Sequence, residues 1–187
     1  MTIEALVREY LPHAPKLGLY VAPDIPREKL DAARLDYAPD VGREKVLALF
    51  DATRFNSARD GVLFLHDQLV FQNNNLHRPR AIRYDDIVRV QQKRRLLGGR
   101  KVKLDINQGR ATVSEVIDFS AEPDTASYVE RFLREAMLLS PVVSGTEETD
   151  YVAVEQILDQ LFADDKPSSE DRKAMLEVLR TKKKATP

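Results

Sequence analysis

Between residues 46 and 119 the apolar side chains come in short runs separated by turn-formers, and no segment between two runs has the length and period of a crossover helix. Parallel neighbours need a connection of about a dozen residues or more, so this stretch is expected to fold as antiparallel strands. Val46-Leu47-Ala48-Leu49-Phe50 is continuously apolar and too short for a helix, which suits a strand buried on both sides. Residues 54–61 read as a turn. The runs 62–66 and 69–72 flank Asp67-Gln68, the spacing of a tight hairpin. A polar loop over 73–79 leads to extended segments at 80–84 and 87–92. Strict alternation over 102–107 sends Val102, Leu104 and Ile106 to one face, and Gly98-Gly99 supplies the turn before it. Ala111, Val113, Ile117 and Phe119 share a face of the last strand, where Glu115 interrupts the apolar series and marks an expected bulge. Six or seven short strands result.

Helical periods bracket this β stretch. Ile3, Leu6, Val7, Tyr10 and Leu11 recur at helical spacing behind Thr2, a candidate N-cap, and Pro12 ends the series. A Pro-rich link follows, and Pro26 stands where a first helical position would, ahead of Leu30, Ala33 and Tyr37 on one side. After Glu122-Pro123-Asp124-Thr125, which offers caps, Val129, Phe132, Leu133, Ala136 and Met137 form an apolar stripe that Pro141 closes. An acidic linker leads to Tyr151, Val154, Ile157, Leu158, Leu161 and Phe162, then to a last helix capped by Ser168 and carrying Met175, Leu176 and Leu179. The expected division is an N-terminal helical extension over 1–42, a β domain over 43–142, and an acidic linker with a C-terminal helical pair over 143–187. The class is α+β: an antiparallel barrel or sandwich capped by a C-terminal helix.

The 187 residues contain no cysteine, which excludes disulfides, thiolate metal sites and a cysteine nucleophile. The start, MTIEALVREYLPHAPKL, lacks the continuous apolar core of a secretory signal, and no run of about 18 apolar residues occurs, so a cytoplasmic location is expected. A formal net charge of -1 hides a local asymmetry. Residues 78–103 hold ten Arg or Lys against Asp85 and Asp86, whereas residues 105–171 hold sixteen acids against four bases. Such separation points to a partner surface, or to two regions facing each other in a dimer.

Asp60-Gly61-Val62-Leu63-Phe64-Leu65, His66-Asp67, Val70-Phe71 and Tyr84-Asp85-Asp86-Ile87 follow a recognisable series: a Gly opening an apolar strand, a hairpin, then an aromatic-x-Asp-Ile step. The series resembles the bacterial pleckstrin-homology-like modules and the related GRAM-type domains, over roughly residues 43–139. His66 stands where Thr is commoner in that family. The resemblance implies a pleckstrin-homology-like fold and a binding or scaffolding module without catalysis or cofactor, and it leaves the bound partner open.

Two sets of residues are candidates for binding. Lys93, Arg94, Arg95, Arg100 and Lys101 surround Leu96-Leu97 at the expected hairpin tip. The bases suit phosphate groups or an anionic membrane surface, into whose apolar boundary Leu96 and Leu97 would dip. The structural alternative is a solvated hairpin whose leucines cover the end of the barrel or pack on the N-terminal helices. Nucleic acid is not expected, because no aromatic residue lies within 85–103 to stack on bases. The second set is the C-terminal apolar face of Ile157, Leu158, Leu161, Phe162, Met175 and Leu179, suited to a protein partner or a homodimer. Leu96 and Leu97 belong with it if the hairpin docks on protein. The histidines His13, His66 and His77 lack the spacing of a metal site, and Ser57 and Ser120 lack a nucleophile-elbow context, so no metal, cofactor or enzyme activity is expected.

Overall fold

The computed structural model describes residues 1–94 and 98–139. Its β stretch forms two antiparallel sheets. One has five strands in chain order, β1 (Leu19–Val21), β2 (Ala48–Asp51), β3 (Gly61–Phe64), β4 (Gln68–Gln72) and β5 (Arg80–Arg83). The other has three, β6 (Ile87–Arg94), β7 (Arg100–Asn107) and β8 (Thr112–Asp118). Helix α1 (Ile3–Tyr10) precedes β1, α2 (Arg27–Tyr37) lies between β1 and β2, and α3 (Thr125–Ala136) follows β8.

β2 and β3 have no polar face, and every one of their residues is buried. Alternation directs Ala48 and Phe50, with Val62 and Phe64 opposite them, into the larger core, which α1, α3 and the three-stranded sheet also enter. Phe132 of α3 is at its centre. The rings of Phe64 and Tyr84 both meet it edge-on, with centroids 5.5 and 5.6 Å away. The other face carries Leu49, Leu63, Val70 and Tyr20, and the helical spacing of Leu30, Ala33 and Tyr37 lays α2 over it. The apolar run expected to be buried on both sides is so because α2 covers one face of its sheet and the three-stranded sheet with α1 and α3 covers the other.

The residues of the Gly and aromatic-x-Asp-Ile series hold this geometry. Gly61 has φ +149°, and a Cβ there would lie 1.9 Å from the Phe50 carbonyl oxygen. Tyr84 opens a 3₁₀ turn between β5 and β6, and its hydroxyl donates to the Leu65 carbonyl at 3.1 Å.

The sheets do not close into a barrel. β5 and β6 part at the Tyr84–Asp86 turn, and β8 pairs only with β7. Side chains, not a ladder, bridge the free edge of β8. The Asn73 amide donates to the Val116 carbonyl at 2.7 Å and accepts from the Asp118 N–H at 2.8 Å, and Arg80 meets Glu115 at 3.4 Å. Glu115 therefore needs no bulge: it sits opposite Leu104 in unbroken register, its charge met by β5 across the seam. The register shift falls between Ile87 and Arg89, where Val88 turns outward.

Three local readings shift. The first hairpin turns at His66-Asp67, since Phe64 faces Leu69 and the Leu65 N–H donates to the Gln68 carbonyl at 2.9 Å. Pro26 is the N-cap of α2, one position before the expected one. The Pro-rich link contains β1, which pairs with β2 after Gly18 turns the chain at φ +66°. Thr2 caps α1 as expected, accepting from the Ala5 N–H at 3.2 Å. No helix among the described residues is long and apolar enough to cross a membrane.

Burial pushes the pKa of two tyrosines above the ordinary phenol value. Tyr37 lies in the outer cluster with no partner for its hydroxyl among the described residues, and Tyr84 lies against Phe132. Both are neutral when folded at pH values where the unfolded chain ionises them. Their contribution to stability is full below the unfolded tyrosine value of about 10 and is lost as pH climbs from there toward the raised folded value. Absorbance titration is expected to show at least two of the six tyrosines ionising only as the fold melts.

Candidate functional site

The β6–β7 hairpin places four of its five predicted bases in two directly opposed pairs, Lys93 across from Lys101 and Arg94 across from Arg100. Like charges in such positions repel, so each pair needs a counter-charge. Two of the four have one inside the molecule. The Arg100 guanidinium donates to the Ser127 hydroxyl at 2.9 Å and lies 3.8 Å from the Asp124 carboxylate, which ties the start of β7 to the first turn of α3. Lys101 lies 3.7 Å from Asp118 on β8. Lys93 and Arg94 are exposed. Arg95, Leu96 and Leu97 lie outside the described residues, as do Ile157, Leu158, Leu161, Phe162, Met175 and Leu179.

Adjacent acids behave as structural partners. Arg83 donates twice to Asp85, at 2.9 and 2.8 Å, and these bonds hold the Asp85 carboxyl below its ordinary range. On the outer face of β7, hydrogen bonds from Lys103 and Ser114 do the same for Asp105. His13 accepts from the Val21 N–H, and His77 bonds Asn74. Among the described residues no three His, Asp or Glu side chains group as metal ligands.

A second constellation lies at one end of the five-stranded sheet, in the loop over 52–60 that joins β2 and β3. Lys29 of α2 is buried and donates to the Asp51 carboxylate at 2.8 Å and to both the carbonyl and the side-chain oxygen of Asn56 at 2.5 Å. Its ammonium also stands 5.2 Å from the centre of the Tyr20 ring. The other Asp51 oxygen accepts from the Thr53 N–H and hydroxyl, at 2.9 and 2.5 Å. Thr53 Oγ1 in turn accepts from the N–H groups of Ser57 and Ala58. Asn56 and Ala58 adopt φ of 59° and 55°, left-handed values that side chains other than glycine seldom take. These bonds hold the loop in one shape, with Phe55 at its tip 93% exposed.

Beside that tip is an open cleft of about 580 Å³. Thr53, Phe55 and Ser57 line one part of it, Gln72 and Asn75 another, and the charged groups Asp36, Arg54, Arg59 and Asp60 complete it. Arg59 lies 3.8 Å from Asp36, and Asp60 accepts from the Gln72 amide at 3.1 Å. Leu76, on the following loop over 73–79, is 89% exposed. The arrangement sets exposed apolar side chains beside a polar hollow with charges of both signs.

Sequence reasoning did not select this end of the molecule. The signal was present: Lys29 stands in phase with Ala33 and Tyr37 on the buried side of α2, and Asp51 ends a continuous apolar run. An ionisable residue at each of two buried positions is a pair waiting to be matched.

No protein-family profile, curated protein or solved structure matches the chain significantly.

Replacing Lys29 with Met removes the cation and leaves the buried Asp51 carboxylate without its counter-charge and the Asn56 oxygens without that donor. Breaking such a pair costs about 3–5 kcal/mol. Urea unfolding followed by circular dichroism is expected to show a loss of this size, against a change of under about 0.5 kcal/mol for Leu138→Ala at the exposed end of α3.

Proposed function

We propose that the chain is a non-catalytic binding module of pleckstrin-homology-like type, which acts by associating with a protein, a second copy of itself included. The order of antiparallel strands followed by a packed helix supports the fold reading, as do the structural duties of Gly61 and Tyr84. The functional reading is carried by one observation: large apolar side chains, Phe55 and Leu76, stand exposed on loops at one end of the five-stranded sheet. The buried side chains of Lys29, Asp51, Gln72 and Thr125 hold the fold, Lys29 with Asp51, Gln72 with Asp60, and Thr125 with the Leu17 carbonyl. What the described surface presents to other molecules is contact area. The apolar periodicity of 151–179 supports the same reading from sequence. Light scattering on the full chain is expected to give a mass that is a multiple of 21.3 kDa at micromolar concentration. A single-chain mass throughout removes self-association and leaves a heterologous partner.

A second reading, binding of an anionic lipid surface or phosphate ligand through the hairpin 93–101, is favoured by the opposed pairs Lys93/Lys101 and Arg94/Arg100. It predicts co-sedimentation with phosphatidylserine-containing vesicles that weakens as salt rises. Replacing Lys93 and Arg94 with Glu is expected to abolish that binding while leaving the melting temperature within a few degrees, because neither side chain supports the core. Retained binding in the double variant refutes the hairpin as the site.

A further inference from the structure

The loop end of the five-stranded sheet is its own complement, and we infer that two copies of the chain dock there face to face about a twofold axis. Phe55 of each copy packs against Phe55 of the other at the mouth of the polar cleft. The inference rests on the self-association reading and names the surface that performs it.

A twofold interface brings the same patch of each copy together, so that patch must carry both members of every contact. This one does. Phe55, 93% exposed at the rim of the cleft, meets its own copy across the axis, and the charged groups that line the cleft supply the polar contacts around it. Arg54 has no ion pair among the described residues, while the Asp36 carboxylate lies on the same cleft with only a long 3.8 Å contact to Arg59. Facing copies set Arg54 of each against Asp36 of the other, twice over. Leu76 extends the apolar contact.

The loop is also prepared for the contact. Lys29 grips Asn56 from inside, Thr53 takes the N–H groups of Ser57 and Ala58, and two residues are held at positive φ. Strain of this kind persists where surrounding structure enforces it, and a loop already fixed loses little freedom on binding. A buried aromatic anchor removes about 150–250 Å² from water and is a usual centre of binding energy. Mixed charge favours protein over bilayer here, because Asp36 and Asp60 would face anionic headgroups.

The test is sedimentation velocity on the full chain. Phe55→Glu is expected to weaken the dimer at least about tenfold, and Leu138→Glu, an exposed position at the end of α3, to leave it unchanged. Arg54→Glu and Asp36→Arg each set like charges against each other in their own dimers and are expected to sediment as monomers. An equimolar mixture of the two restores opposite charges at both contacts and is expected to sediment as a dimer. That recovery keeps the test decisive even if Phe55→Glu perturbs the loop. A wild-type chain that is monomeric at every concentration overturns both this inference and self-association. A dimer indifferent to Phe55→Glu and to the charge exchange overturns this inference alone. A monomer that instead binds phosphatidylserine vesicles through Phe55 assigns the surface to a membrane and overturns it as well.

Discussion

A β-sheet whose central strands have no polar side must be covered on both faces, and most of this molecule can be understood as the means of doing so. β2 and β3 bury every residue, so water can be allowed at neither surface. One layer is α2, which lies over Leu49, Leu63 and Val70. The other is composite: the three-stranded sheet, α3 and α1 converge on Phe50, Phe64 and Phe132. The helices before the β stretch are structural parts of the described fold, since Leu6, Val7 and Leu11 enter the same core as Phe132.

Covering a sheet with a helix leaves the helix free to slide unless something directional fixes it. Lys29 and Asp51 provide that direction. Apolar contact between α2 and the sheet is tolerant of small displacements, whereas three short hydrogen bonds from one buried ammonium are not. The same ammonium reaches past β2 to the loop beyond it. Helix position, strand end and loop shape therefore share one charge, and the loop that carries Phe55 is tied through Asn56 to a helix far earlier in the chain.

The basic hairpin shows how tertiary contacts divide a charge run that looks uniform in the sequence. Arg100 and Lys101 are neighbours of Gly98-Gly99 and stand opposite Arg94 and Lys93, yet they have partners on α3 and β8. Arg100 fastens the hairpin to the helix that fills the core. Lys93 and Arg94 remain at the surface. A count of bases overstates the charge such a segment offers to a ligand, because part of it is already matched within the fold.

Much of the architecture was legible in the residues themselves. Antiparallel pairing, the helix over 125–136, the α1 cap and the inward set Val102, Leu104 and Ile106 all follow from periods of two or 3.6 and from turn chemistry, which are local properties of a chain. Other features had no local signature. β1 is three residues inside a Pro-rich link and exists because β2 offers it an edge; Glu115 interrupts an apolar series locally, and its partner Arg80 lies on a different strand far along the chain. The open seam between the sheets depends on Asn73 meeting β8, and the shape of the 52–60 loop depends on Lys29 meeting Asp51 and Asn56. Local sequence determined which segments are strands and helices and which side of each is apolar. Only folding decided which distant polar groups satisfy one another, because a hydrogen bond or ion pair is specified by position in space and leaves no period in the chain.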